Sequence, residues 1–106
     1  ILLLRPEAPV TSEEIREETD RQGFAAARIR AFLALGEQFP DFQCKLQIVT
    51  LGPQWRDPKD DKIVVPCLWG ESSHRYLDLR TLEGLWYPAS GYCFAVTRIA
   101  PRRRRS

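Results

Sequence analysis

From residue 62 to residue 99, short apolar runs alternate with polar turns, and this alternation constrains the fold more than any other feature of the chain. Residues 63–69, 75–80 and 92–99 each have the length of a strand, and turn residues separate them. Pro66 lies inside the most apolar run, and because proline cannot donate to a sheet ladder, we expect an edge or a bulge there. The 75–80 run alternates polar and apolar side chains, which predicts a half-exposed strand.

Two helices are predicted in the first half of the chain. Thr11 and Glu14 have the spacing of a capping box, which indicates a helix over residues 12–22. Apolar residues recurring at helical spacing predict a second helix over residues 27–38, which Pro40 ends. Both helices precede most of the predicted strands.

The order of the predicted elements indicates the fold class. Residues 43–51 switch to period two, which predicts a further strand, and residues 1–5 predict an edge strand. The order β-α-α-β-β-β-β predicts an α+β domain with both helices on one face of a mostly antiparallel sheet of four to five strands. We expect the first strand to pair with the last, since chain termini usually lie close together. The sequence predicts one domain over residues 1–101 and a basic tail over residues 102–106.

The basic residues are concentrated in that tail. It holds four of the 16 basic side chains, so residues 1–101 carry 12 basic and 14 acidic residues, a net charge of −2. This balance excludes a basic face spread over the whole fold. The tail instead supports an alternative function, a nucleic-acid accessory domain with weak, salt-sensitive phosphate contacts; a solvated tail is the simpler interpretation. The residues concerned are Arg102, Arg103, Arg104 and Arg105.

The three cysteines indicate a reducing compartment. Cys44, Cys67 and Cys93 form no CxxC pair, their number is odd, and each lies in an apolar run, where a free cysteine is usually buried. We expect a cytoplasmic protein, with a Cys67–Cys93 bridge as the minor alternative. No apolar run approaches the roughly 18 residues of a membrane span, and the opening run is too short for a signal peptide. Because the chain contains no methionine, we expect residue 1 not to be the translational start.

Catalytic and metal-binding patterns are weak. Cys67, His74 and Asp78 could meet across two strands as nucleophile, base and orienting group, but burial in the run VVPCLW would raise the pKa of the Cys67 thiol. Two further sets have ligand side chains without the spacing of a zinc or calcium site: Cys44, Cys67, His74 and Cys93, and Asp57, Asp60 and Asp61. We therefore expect no cofactor and no metal, with a Cys-dependent enzyme as the third alternative.

The aromatic residues are the best candidates for function. Three tryptophans in 106 residues exceed what a small core needs. Aromatic and arginine side chains at a sheet rim are typical of protein-binding surfaces; the alternative is that they cap the core and turn their polar atoms to water. The predicted binding residues are Trp55, Trp69, Arg75, Arg80, Trp86, Tyr87 and Tyr92. The sequence therefore predicts a non-catalytic domain that binds a protein partner.

The runs FLALGEQFPDFQCKLQIVTLGPQW, VVPCLWG, RYLDLRTLEGLWY and YCFAV resemble a group of small uncharacterised bacterial proteins. That group has an LLAFG-type helix, a PELQ turn, FPIVALGSVW, VPYL, an L-x-L-x-W strand and a closing YRFLAV. The resemblance covers about residues 23–98 and departs from the pattern at Ala27, Arg28 and Thr81. The matching positions are Pro40, Gly52, Trp55, Pro66, Leu68, Leu77, Leu79 and Phe94. It implies a recurrent bacterial domain and assigns no activity.

The element order is also similar to that of C-type-lectin-like scaffolds, with both termini in one sheet and a tryptophan-rich region before the last strand. The disulfides and the calcium loop of true lectins are absent from this sequence. The similarity therefore concerns the fold and implies no sugar binding.

Overall fold

The computed structural model describes residues 1–71 and 74–99. The helices are α1 (Ser12–Arg21), α2 (Ile29–Gln38) and α3 (Phe42–Lys45), and a 3₁₀ turn spans Pro88–Ser90. The strands are β1 (Leu2–Leu4), β2 (Val10–Thr11), β3 (Phe24–Ala26), β4 (Gln47–Val49), β5 (Trp55–Arg56), β6 (Ile63–Gly70), β7 (Arg75–Thr81), β8 (Leu85–Trp86) and β9 (Tyr92–Arg98). None of these helices is both long and apolar enough to cross a membrane.

Seven of these strands form one sheet, and β2 and β8 form a separate two-stranded ribbon. The sheet is five strands across, in the order β1, β9, β4, β6, β7; β3 lies beside the end of β9, and β5 lies beside the start of β6. Strands β4 and β9 run parallel, and the other paired strands described here run antiparallel. The α+β class and the mostly antiparallel sheet are confirmed, as is the pairing of the first strand with the last. The predicted order β-α-α-β-β-β-β and the sheet of four to five strands are wrong, because the short strands β2, β3, β5 and β8 and the helix α3 were not predicted.

The two long helices lie on opposite faces of the sheet, so the prediction that both cover one face is wrong. On one side, Ile15 of α1 packs with Val65 and Phe94. On the other, Phe32 of α2 packs with Leu68. The cause is β3, which lies between the helices in sequence and pairs with β9, so the chain passes through the sheet plane after α1. We call the two sides the α1 face and the α2 face.

Local signals place α1 well and the elements after it less well. The capping box is formed, since the Glu14 N–H donates to Thr11 Oγ1 and the Thr11 N–H donates to Glu14 Oε1, at 3.1 and 3.0 Å. Helix α2 begins at Ile29, later than predicted, because β3 occupies the residues before it. The predicted strand over residues 43–51 is wrong at its start, where α3 forms and the Gln43 amide donates to the Trp69 carbonyl at 3.0 Å.

The predicted irregularity at Pro66 is confirmed in part. Strand β6 is paired along both sides and is not an edge strand. On one side, however, β4 pairs with Cys67 and Leu68, whereas β5 pairs with Ile63 and Val64. Pro66 therefore lies just beyond the last β4–β6 pair, where its carbonyl accepts the Thr50 N–H at 3.4 Å and its missing N–H falls between the two strand pairings.

Candidate interaction surface along strand β7

Strand β7 is one of the two outermost strands of the sheet, and β1 is the other. It pairs with β6 over its full length, from Gly70 opposite Arg75 to Val64 opposite Thr81. Within the described part of the chain, no strand pairs with its other edge. The prediction of a half-exposed strand understates the exposure, because every residue except Arg80 is exposed. Of the two long helices, α2 reaches this strand at its first residue, where Arg75 Nη1 donates to the Gly36 carbonyl at 3.4 Å.

Large apolar side chains stand exposed on both faces of β7. Tyr76 lies on the α1 face and is 39% exposed. Leu77 and Leu79 lie on the α2 face and are 56% and 51% exposed. Scattered exposed leucines are ordinary in soluble proteins, but these three residues are neighbours on one unpaired strand. They place exposed apolar side chains on both faces of an open sheet edge.

A group of polar and aromatic side chains occupies the α1 face beside this edge. We call it the arginine–aromatic cluster, and its members are Trp69, Tyr76, Asp78, Arg80 and Tyr92. The rings of Trp69 and Tyr76, opposite each other on β6 and β7, stack with centroids 4.4 Å apart and planes 20° apart. Arg80 Nη1 donates to Asp78 Oδ2 at 2.7 Å. The cluster thus joins three strands, β6, β7 and β9.

The Arg80–Asp78 pair stays charged over the neutral pH range. The hydrogen bond from Arg80 and then that from the Leu79 N–H lower the pKa of the Asp78 carboxyl, and the nearby Trp69 indole N–H adds a weaker attraction. Trp69 Nε1 itself is buried and has no acceptor within hydrogen-bonding distance. Burial lowers the pKa of Arg80, but its hydrogen bonds with Asp78 and Tyr92 outweigh burial and raise it. The cluster therefore places an ion pair, whose two charges cancel, beside aromatic rings.

Arg80 lies between two shallow cavities. One, of about 320 Å³, is bordered by α3 and by Trp69. The other, of about 130 Å³, is bordered by Glu83, Leu85 and Tyr92. A third cavity, of about 280 Å³, lies away from β7 between α1 and the sheet, on an apolar floor that includes Leu51 and Phe94. Two of these three hollows therefore adjoin the arginine–aromatic cluster.

The structure brings together only some of the predicted binding residues. Trp69, Arg80 and Tyr92 belong to the cluster, whereas Trp55 and Arg75 lie on the α2 face. Tyr87 is exposed beside the 3₁₀ turn.

Trp86 is a core residue, only 4% exposed. Its indole donates to Ser12 Oγ at 2.8 Å, and its ring packs edge-on against Tyr92 and Phe94. We therefore leave Trp86 out of the surface. Sequence analysis missed Tyr76, Leu77 and Leu79, whose alternation with charged residues suggested one buried face.

The proposed catalytic trio is poorly placed. Cys67 is fully buried, and burial raises the pKa of its thiol from 9.0 to about 11. Asp78 lies opposite Cys67 on β7, but His74 precedes Asp78 by four residues, about 13 Å along an extended strand. At neutral pH the Cys67 thiol is therefore protonated and inaccessible, the reverse of what a nucleophile needs.

The described residues also hold no group of three or more histidine, cysteine or acidic side chains that could bind a metal ion. The three cysteines are free, and Cys67 and Cys93 face opposite sides of the sheet. In the Asp57–Asp61 turn, Asp57 and Asp60 accept backbone N–H groups, and Asp61 pairs with Arg56 at 3.0 Å. These carboxylates organise an exposed turn.

The predicted nucleic-acid contact, Arg102 to Arg105, lies outside the described residues. Comparison with known proteins adds no assignment, since no family model, no curated protein and no solved structure matches the chain. The resemblance to the bacterial group therefore stays a prediction. The case for function depends on β7 and its surroundings.

Proposed function

We propose that this domain is a non-catalytic binding module that engages a protein partner through β7 and the arginine–aromatic cluster. One observation carries the proposal: β7 exposes Tyr76, Leu77 and Leu79 while its outer edge has no partner among the described strands. An open, apolar strand edge pairs readily with another chain unless the protein covers it. A partner that covered β7 would remove that liability.

The side chains on the α1 face suit protein recognition. Tyrosine, tryptophan and arginine dominate the binding energy of protein interfaces, because they bury large areas and still supply hydrogen bonds. Here Trp69 holds Tyr76 by stacking, and Asp78 holds Arg80 by a hydrogen bond. Both side chains are therefore ordered before binding, which lowers the entropic cost of association.

The same arrangement indicates the chemistry of the partner. Because Arg80 is already paired with Asp78, the cluster has little net charge to attract a strongly acidic or basic ligand. The backbone edge of β7 offers hydrogen bonds, and Leu77 and Leu79 offer apolar contact on the α2 face. An extended segment with alternating apolar side chains satisfies both requirements. We therefore expect the partner to add a strand beside β7.

Selection from a phage-displayed random peptide library tests this proposal. We expect the enriched peptides to alternate apolar residues and to lose affinity about tenfold or more on Tyr76→Ala or Leu79→Ala. Leu33→Ala is the matched control, since Leu33 is 42% exposed on α2 and is not part of β7. Unchanged melting temperatures would show that the variants remain folded.

Two results would contradict the proposal: peptides that bind both β7 variants unchanged, or peptides whose binding is abolished by a substitution in the cavity beneath α1.

The nucleic-acid alternative is tested separately, by measuring DNA and RNA binding of residues 1–106 and 1–101 at low and moderate salt. Salt-sensitive binding lost with the tail would favour that alternative.

A further inference from the structure

We propose that the strand that β7 receives is the β7 of a second copy of this chain, paired antiparallel about a two-fold axis at Leu79. The inference rests on the proposed function, because it uses the same strand edge and names the partner. It requires that the backbone of β7 be oriented for pairing and that one register be favoured.

The backbone orientation follows from the hydrogen bonds at the two ends of the β6–β7 hairpin. The Leu82 N–H donates to the Ile63 carbonyl, and the Glu71 N–H donates to the His74 carbonyl, both towards the partner strand. Successive residues of an antiparallel strand point their backbone groups alternately to either side. Even-numbered residues of β7 therefore bond to β6, and the odd-numbered residues direct their N–H and C=O groups to the open edge. These residues are Arg75, Leu77, Leu79 and Thr81.

In a two-fold dimer, facing residues must lie on the same face of the joined sheet. With Leu79 on the axis, Leu79 faces its own copy, and Leu77 faces Thr81 of the second copy. On the α1 face, Asp78 of each copy then lies opposite Arg80 of the other. This register therefore pairs Leu79 with Leu79 and Leu77 with the β-branched Thr81 on one face, and acid with base on the other. The edge is self-complementary in this register.

The neighbouring registers lack this complementarity. Moving the axis to Asp78 places the two Asp78 carboxylates opposite each other, and like charges in facing positions oppose pairing. Moving it to Leu77 places the Arg75 guanidinium opposite Leu79 and leaves Asp78 opposite Tyr76. The charge pattern of β7 therefore selects the Leu79 axis.

In the single chain, side chains of the same strand occupy the centre of this edge. The Leu79 N–H donates to Asp78 Oδ1 at 2.9 Å, and Arg80 Nη1 lies 3.5 Å from the Leu79 carbonyl. These contacts satisfy the exposed backbone groups while β7 is unpaired. On dimerisation, the backbone groups of the two Leu79 residues bond to each other, and the freed Asp78 and Arg80 side chains pair across the interface.

Sedimentation equilibrium of the full chain over a range of concentrations tests the inference. We expect a reversible dimer whose dissociation constant rises about tenfold or more in Asp78→Arg and in Arg80→Asp, because each places like charges opposite each other. An equimolar mixture of the two variants should dimerise again, since each acid then faces a base of the other chain. A role of these residues in folding alone cannot produce this recovery.

Two further variants keep the inference testable if the charge reversals unfold the chain. Leu79→Pro removes an N–H that points away from β6, so it should leave the fold intact and abolish the dimer. Leu79→Lys should also abolish it, whereas Leu33→Lys, at a residue 42% exposed on α2, should not. A native chain that remains monomeric at every concentration, or a dimer that Leu79→Pro does not weaken, would overturn the inference. The first result would leave the peptide-binding proposal intact, because library selection tests that proposal independently.

Discussion

Trp86 and Tyr87 are adjacent aromatic residues that the structure assigns to opposite environments. Trp86 is 4% exposed, and Tyr87 is 50% exposed. We predict that Trp86→Ala strongly destabilises the domain and that Tyr87→Ala does not. The two variants are a matched test, because each removes a large aromatic side chain and the two residues are adjacent in the chain.

The expected size of the effect follows from the packing of Trp86. Its ring fills the core on the α1 face against Phe94 and Tyr92, and its N–H is bonded to Ser12 Oγ, which in turn donates to the Leu82 carbonyl at 2.7 Å. Truncating a buried tryptophan to alanine costs about 3–5 kcal/mol. The loss should lower the melting temperature by roughly 12 °C or more. Removing the half-exposed Tyr87 ring should cost less than about 1 kcal/mol.

Urea unfolding monitored by far-ultraviolet circular dichroism measures both free energies without depending on the fluorescence of the deleted ring. Ser12→Ala is a useful third variant: it leaves the buried Trp86 N–H without its acceptor, which costs about 1–3 kcal/mol. If Trp86→Ala cost under about 1 kcal/mol, or no more than Tyr87→Ala, Trp86 would not be a core residue. Trp86 would then return to the proposed binding surface.

Two predictions concern the cysteines. In the native chain at neutral pH, only Cys44 should react quickly with a thiol reagent, since Cys67 and Cys93 are buried. The variant Cys44→Ser should therefore have no rapidly reacting thiol. Rapid labelling of Cys67 would contradict this prediction and support a nucleophilic role. Burial raises the pKa of both Cys67 and Cys93 from 9.0 to about 11. The folded chain holds these two thiol protons more tightly than the unfolded chain does. The raised pKa values therefore stabilise the fold fully below about pH 9, and this stabilisation is lost as the pH rises to about 11. The loss is at most about 2.7 kcal/mol for each thiol. Urea titrations between these pH values should show a shallower decline for a Cys67→Ala, Cys93→Ala double variant, and an unchanged decline would refute the assignment.

The features that sequence predicts well are those that local contacts determine. The capping box of Thr11 and Glu14 involves residues three apart, so the helix start could be placed without knowledge of the rest of the fold. The long strands in the second half have a clear pattern and are found close to their predicted ends. Their antiparallel hairpin follows from the short turn between β6 and β7.

The features that sequence misses depend on distant residues. Periodicity shows that α1 and α2 are amphipathic but does not show which face of the sheet each covers, and β3, with two alanines in three residues, gives little strand signal. Strand β8 has only two residues, too few for a period, so Trp86 and Tyr87 could not be told apart. At Gln43, a side-chain bond to the Trp69 carbonyl accompanies a helical turn where period two predicted a strand.

The exposure of β7 follows from the dimensions of the domain. Five strands at a spacing of about 4.8 Å make a sheet roughly 19 Å across, whereas one helix is about 10 Å wide. Each face receives one long helix, and α2 packs over β4, β6 and β9. One helix per face leaves an outer strand uncovered, and β7 is the strand that carries large apolar side chains on both of its faces. Because the described chain supplies nothing to cover them, a second chain is the simplest source of that cover, and the alternating charges of β7 provide a means of choosing its register.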